Sequence, residues 1–284
     1  MTKGTTRIGP REFRWGERTY VMGILNVTPD SFSGDGLLRG EDAVSAAVEQ
    51  ARTMAADGAD LLDVGGESTR PGHASVDEAE ELRRVVPVVR AVREALPDMP
   101  LTIDTTKPAV AEAALDAGAD AINDVWGVAD EPGLVAIAAG RGIAIVLMHN
   151  RAEPRYADVV QEVRDDLRRA VDRSIAAGVA RSSIVIDPGI GFGKTADQNL
   201  ALLHGLAALR DLGLPILLGT SRKSTLGKVL GLPPDQRVEA TLATTALGVA
   251  AGVDIVRVHD VRANLRAARI ADAIVRGTWH DPAT

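Results

Sequence analysis

The chain has 284 residues, 45% hydrophobic and 25% charged, with a formal net charge of −7 and no cysteine. A chain of this length buries a large core without cross-links, and the lack of cysteine excludes disulfides, thiolate metal sites and a cysteine nucleophile. The acidic balance argues against a general affinity for nucleic acid, and no apolar run approaches the roughly 20 residues of a membrane span.

The first segment, "MTKGTTRIGPREFRWGE", lacks the apolar centre of a signal peptide, so a soluble, cytoplasmic protein is expected. Within residues 1–20, "FRWGERTY" reads as a hairpin with Gly16 in its turn, closing the bottom of the fold. Short and nearly continuous apolar runs follow at 21–27, 60–64, 101–104, 121–124, 143–149, 184–187, 215–219 and 254–259. That pattern marks parallel strands buried on both faces. Between them, "EDAVSAAVEQARTMAADG" and "DEAEELRRVVPVVRAVREAL" carry apolar residues at helical spacing. "PAVAEAALDAG" opens on Pro108, which suits a first helical turn. Gly58-Ala-Asp60, Gly118-Ala-Asp120 and Gly252-Val-Asp254 recur just before strands, with glycine fitted to a left-handed helix end. Eight strands alternating with helices predict an α/β fold: one (β/α)8 TIM barrel domain over 1–284, with residues 1–20 as an N-terminal extension. An open doubly wound sheet is the alternative, weakened by the lack of a Gly-rich dinucleotide fingerprint after the first strand.

In such a barrel the site forms at the C-terminal ends of the strands. The residues there are Asn26, Asp63 with "GGESTRPG" (65–72), Asp104, Asn123-Asp124, Met148-His149, Asp187, "GTSRKS" (219–224), and Arg257 with His259. A single Asp at a strand end is accounted for by capping the next helix. Eight converging polar positions need one another or a ligand. Asp104, Asn123 and Asp187 offer acceptors and an amide, as a flat heterocycle with an amino group and ring N–H donors requires. Arg222, Lys223, Arg257 and His259 supply positive charge for a phosphate-like anion, and Ser68, Thr69 and Arg70 add donors.

Other chemistries fit less well. "PGIGFGKT" (188–195) resembles a phosphate loop, but Pro188 stands where the first glycine is required. Lys223 as a Schiff-base lysine ranks below an anion or acceptor contact, given Arg222 and Ser224 beside it. His149 and His259 have no companion set for a transition metal. Trp15, Trp126 and Trp279 read as packing residues, with the site rim as a second place for Trp126.

With these residues assembled, the chain resembles the dihydropteroate synthase family of pterin-binding barrels over about residues 20–276. The resemblance rests on "GILNVTPDSFSGDG", "DVGGESTRPG", "IDT", "INDV", "LMH", "IDPGIGFGKT", "GTSRKS" and "RVHDV", in that order. It implies the joining of 6-hydroxymethyl-7,8-dihydropterin diphosphate to p-aminobenzoate, with release of diphosphate, in a sulfonamide-sensitive fold that is usually a homodimer. Carried over by position, Asp104, Asn123, Asp187 and Lys223 would contact the pterin, with Met148 and Phe192 lining its pocket. Asn26 would bind Mg²⁺. Arg257, His259 and Ser68 or Thr69 would hold the diphosphate. Phe32, Pro71, Phe192, Arg222 and Ser224 would frame the p-aminobenzoate pocket, and Arg70 would support a closed loop. Many relatives have "SFSDGG" where this chain has "SFSGDG", so Asp35 is displaced by one position. Two other readings share the pterin pocket: a methyltetrahydrofolate-dependent methyltransferase, which needs neither a diphosphate clamp nor magnesium, and a non-catalytic pterin-binding paralogue.

Overall fold

In the computed structural model, which describes residues 4–27, 41–67, 76–277 and 279, the alternation of the sequence becomes a ring of parallel strands. The chain opens with a hairpin of β1 (Thr5–Ile8) and β2 (Arg11–Arg14). Ile8 pairs with Arg11, so the turn is Gly9-Pro10 and not Gly16 as expected. The expectation missed it because polar Thr5 and Arg7 hide a period-two pattern in which Thr6 and Ile8 face inward. Gly9, with a φ of 54°, supplies the positive backbone angle that tight hairpin turns favour. Gly16 lies in the following turn instead.

The barrel strands are β3 (Tyr20–Asn26), β4 (Leu61–Gly65), β5 (Leu101–Asp104), β6 (Ala121–Asp124), β7 (Ala144–Met148), β8 (Ile184–Asp187), β9 (Leu217–Leu218) and β10 (Ile255–Val258). They pair in parallel from β3 through to β8, and β10 bridges β3 to β9. A parallel bridge between Ile186 and Ile216 closes the ring. β9 is shorter than the apolar run 215–219. Pro215 has no N–H, and the Ile216 N–H donates to the Asp254 side chain at 2.9 Å as well as sitting beside the ladder.

The helices around the ring are α1 (Glu41–Ala56), α2 (Glu78–Ala95), α3 (Pro108–Asp116), α4 (Gly133–Arg141), α5 (Val159–Ala176), α6 (Ala196–His204), α7 (Ser224–Leu230), α8 (Val238–Ala251) and α9 (Val261–Arg276). None among the described residues is long and apolar enough to cross a membrane.

The recurring Gly-Ala/Val-Asp phrase has a structural reason that spacing alone does not show. Its glycines take left-handed φ angles of 95°, 119° and 93°. Its aspartates then accept from the backbone of the neighbouring strand's start: Asp60 from Val21 N, Asp120 from Leu101 N and Asp254 from Ile216 N, at 2.8–2.9 Å. Each helix-to-strand junction is thereby stitched to the start of the preceding strand, at the barrel's N-terminal end.

That end is closed by the hairpin, as expected. Ile8, Phe13 and Trp15 are buried in one cluster with Tyr20, Met22 and Leu61. Phe13 meets Tyr20 edge-on at 4.9 Å, and Trp15 Nε1 donates to Thr6 Oγ1 at 2.8 Å. Trp15 is thus a packing residue. Trp126 and Trp279 are not: they stay 40% and 64% exposed. Trp126 lies in the turn that follows β6, and Trp279 lies beyond the last helix.

Candidate active site

The C-terminal ends of the strands gather the polar residues that the sequence pointed to. Asp63, in the middle of β4, is fully buried. Its carboxylate accepts from Thr102 Oγ1, from Asn123 Nδ2 at 2.9 Å and from Arg257 Nε at 2.6 Å. Two residues on, β4 has Gly65, where a Cβ would stand 3.5 Å from the Asp104 Cβ. The missing side chain leaves room above Asp63 in the layer where Asp104 and Asn123 pair across β5 and β6. Arg257 Nη2 donates to Asp104 Oδ2 at 2.7 Å, so one guanidinium spans both carboxylates. Buried charges persist when paired and hydrogen-bonded in this way. The sequence marked Asp63 only as a strand-end acid. Its role as the anchor of two site residues depends on contacts 60 and 194 positions apart.

Two buried acceptors of this network find no donor among the described residues: Asp104 Oδ1 and Asn123 Oδ1. The Asn123 amide is oriented by Asp63, which takes its N–H₂ and leaves the oxygen outside that bond. A buried acceptor without a donor costs about 1–3 kcal/mol, so a pair of them marks a place for ligand N–H groups. Burial pushes the Asp104 carboxyl up to about 7, against the pull of Arg257 and with a further push from Asp63. Asp187, at the end of β8, is also raised by burial, opposed by Lys223 and by the Gly189 N–H at 2.7 Å. Met148 is buried beside it, paired with Asp187 across β7 and β8. Asp124 holds the turn after β6 and caps no helix, accepting from the Trp126 N–H at 2.9 Å.

Lys223 precedes α7 and reaches across to the loop after β8. Its ammonium donates to the Ile190 carbonyl and lies 4.1 Å from the Phe192 ring centre. Lys223, Phe192 and Asp187 thus form one group. The loop that carries Phe192 is glycine-rich for a reason other than phosphate. A Cβ on Gly189 would fall 1.8 Å from the His149 carbonyl oxygen, and one on Gly193 would fall 2.1 Å from that of Arg151. The glycines let two loops press together, backbone to backbone. His149 is fully buried, with Nε2 3.1 Å from Asp166 and Nδ1 3.0 Å from Lys194. Burial and the nearby Lys194 push its pKa down to about 3, so it is a neutral internal link.

On the cationic side, the Ser221 hydroxyl accepts from the His259 N–H at 3.2 Å and meets its Nδ1 at 2.9 Å. A hydroxyl that accepts from the backbone and donates to Nδ1 leaves the ring proton on Nε2. Arg222 is held bidentately by Asp260, at 3.0 and 2.6 Å, which fastens the loop after β9 to the end of β10. Its φ of 57° is the one positive value at a non-glycine position among the described residues. Sequence reasoning did not single out Asp260. Ser224, the first residue of α7, is exposed, and Asn26 ends β3 half-buried. Phe32, Ser68, Thr69, Arg70 and Pro71, and Asp35 of the first loop, lie outside the described residues.

A family model described as pterin binding enzyme matches residues 22–259. The dihydropteroate synthase of Clostridium beijerinckii is 48% identical over 271 residues, covering 95% of this chain and 99% of its own. Among solved structures, a dihydropteroate synthase from Clostridium difficile, in the presence of pteroic acid, superposes with a TM-score of 0.89 at 49% identity, covering 93% of this chain and 99% of that one. One from Xanthomonas albilineans with 4-aminobenzoic acid superposes with a TM-score of 0.89 at 42% identity, covering 96% and 98%. The paired acceptors, the cationic strand ends and these likenesses agree: the chain belongs to the pterin binding enzyme family, among its dihydropteroate synthases.

Proposed function

We infer that this chain condenses 6-hydroxymethyl-7,8-dihydropterin diphosphate with p-aminobenzoate, giving 7,8-dihydropteroate and diphosphate for folate biosynthesis. The observation that carries the reading is the pair of buried acceptors, Asp104 Oδ1 and Asn123 Oδ1, with Asp187 nearby in the ring of strand ends. A pterin presents amino and ring N–H donors in one plane, which suits that acceptor set. One relative was solved in the presence of pteroic acid and another with 4-aminobenzoic acid, a product-like compound and the arylamine substrate of the same reaction.

The residues divide the work. Asp104, Asn123 and Asp187 hold and orient the heterocycle, and Lys223 and Phe192 bound it on one side. As the bond from methylene carbon to diphosphate oxygen lengthens, positive charge spreads from that methylene into the ring. The carboxylates of Asp104 and Asp187 favour it electrostatically. Arg257 and His259 take up the charge of the departing diphosphate. Two carboxylates already hold Arg257, so it meets the anion in a fixed orientation. The aniline nitrogen of p-aminobenzoate attacks the methylene as a neutral amine, and the ammonium formed is acidic enough to lose its proton without a strong base.

Magnesium belongs to the same proposal. Among the described residues no group of three His, Asp or Glu could hold a metal ion. Mg²⁺ takes few protein ligands and fills its shell with water and phosphate oxygens, which a lone Asn26 carboxamide at a strand end fits. When bound, the ion would offset charge on the diphosphate. A cytoplasmic homodimer completes the proposal. Its support is an apolar strip across α8 and α9, where Leu247, Ile270 and Ile274 are 71%, 65% and 77% exposed.

The test is diphosphate release by the purified chain given both substrates and Mg²⁺. Release that depends on p-aminobenzoate and stops with chelator is expected. Pterin binding without turnover would favour a binding protein. Activity that survives chelator and needs a corrinoid partner would favour a methyltransferase.

A further inference from the structure

Lys194 follows Phe192 and Gly193 in the loop after β8, within the stretch that resembles a phosphate loop but lacks its spacing. The structure turns its side chain inward. The ammonium lies 3.0 Å from the Gly189 carbonyl, 3.0 Å from the Phe192 carbonyl, 3.4 Å from the His149 carbonyl and 3.0 Å from His149 Nδ1. An ammonium has three protons, and here they meet acceptors on both ends of one turn and on the loop packed beneath it.

The acceptor role of His149 Nδ1 is set from behind. Its Nε2 faces Asp166 Oδ2 at 3.1 Å, and that oxygen also accepts from Arg151 Nη2 at 2.7 Å. A neutral imidazole with its proton on Nε2 donates to Asp166 and offers Nδ1 to Lys194. The chain of contacts runs Arg151, Asp166, His149, Lys194 and then the carbonyls of the β8 loop.

That loop is what Lys223 leans on. The Lys223 ammonium donates to the Ile190 carbonyl, and the Phe192 ring lies beneath it. Of the three carbonyls that Lys194 meets, two belong to this turn, those of Gly189 and Phe192, and Ile190 lies between them. The Gly191 N–H is tied separately, to Asn199 Oδ1 at 2.7 Å. Lys194 thus braces from within the turn whose Ile190 carbonyl and Phe192 ring meet Lys223.

We propose that Lys194 is a positioning residue for the pterin site: it fixes the turn Gly189–Phe192 from the inside, and through the Ile190 carbonyl and Phe192 ring it sets the Lys223 ammonium. The proposal rests on the reading that Lys223 and Phe192 contact the pterin. The Lys194 ammonium is turned onto protein acceptors, so its loss acts first on pterin affinity through Lys223 and reaches p-aminobenzoate only through the Phe192 ring.

The test is a double-mutant cycle on equilibrium binding of the pterin diphosphate, with Lys194→Met, Lys223→Met and the pair. Lys194→Met is expected to weaken pterin binding about tenfold, the effect of one lost net hydrogen bond, and to raise the KM for p-aminobenzoate by less, because that substrate is reached through the Phe192 ring alone. In the Lys223→Met background the same change should have little further effect, because its lever is gone. Effects that simply multiply, or an equal loss for both substrates, would show a general structural role and overturn the proposal. If Lys223→Met by itself leaves pterin affinity unchanged, the site reading fails instead. Should Lys194→Met not fold, Lys194→Gln, which keeps a donor on a shorter stem, carries the same cycle.

Discussion

At Asp63 two donors, Asn123 Nδ2 and Arg257 Nε, converge on one oxygen while Thr102 holds the other. None of these bonds involves a ligand, yet they decide which atom of Asn123 faces outward and where the Arg257 guanidinium stands. Replacing Asp63 by Asn keeps one acceptor of similar shape and removes the charge. The bonds from Asn123 and Arg257 then become neutral-acceptor bonds, which are roughly half as strong. Arg257 is left with Asp104 as its charged partner and is drawn toward it. Asp63→Asn is therefore expected to weaken pterin binding roughly tenfold while the protein stays folded. The check is calorimetric pterin titration beside a thermal unfolding curve, and unchanged affinity would refute the anchoring role.

The helices α8 and α9 pack on each other and leave an apolar strip on their far side, in which Leu247, Ile270 and Ile274 keep most of their surface in water. A second copy of the chain would cover it. Ile274→Glu puts a charge where two such strips would meet, so it should shift the sedimenting mass from dimer to monomer. A wild-type mass of one chain would end the dimer proposal. These helices also show what the sequence can and cannot convey. The short apolar runs and the Gly-Ala-Asp junctions exposed the barrel, because burial on both faces leaves a local mark. The acids and amides at strand ends exposed the site for the same reason: each stands at the end of its own run. The hairpin turn was misplaced because Thr and Arg disguised its alternation. Asp63, Asp260 and the inward turn of Lys194 stayed hidden because their meaning lies in partners far along the chain. The glycines of "PGIGFG" have the wrong spacing for a phosphate loop, and the sequence offers no other reason for them. They are needed for close approach to His149 and Arg151, which no local pattern reports.

Across the whole molecule, buried groups with displaced pKa values pull on acid stability in opposite directions. His149 takes a proton at about 3 when folded, whereas an unfolded histidine does so at about 6.5. Between those values the unfolded chain binds the extra proton, so this residue makes stability rise with pH and fall on acidification. Asp104 does the reverse. Folded, it releases its proton at about 7; unfolded, at about 3.9. Within that window the folded chain holds the extra proton, and stability falls as pH rises. The ligand site thus works against the fold near neutrality, where an ionised Asp104 would serve a pterin best. Lys194, lowered by burial to about 7, titrates above both windows. A full proton of difference is worth about 1.4 kcal/mol per pH unit, so each residue's share is separable by substitution. Between pH 4 and 6, His149→Gln should lower the slope of unfolding free energy against pH by about one proton, and Asp104→Asn should raise it by about one. Denaturant midpoints at several pH values give both slopes. A His149→Gln slope equal to that of the wild type would mean that the imidazole is protonated in the folded core. The link from Asp166 to Lys194 would then carry a cation, and His149 Nδ1 could no longer accept from Lys194.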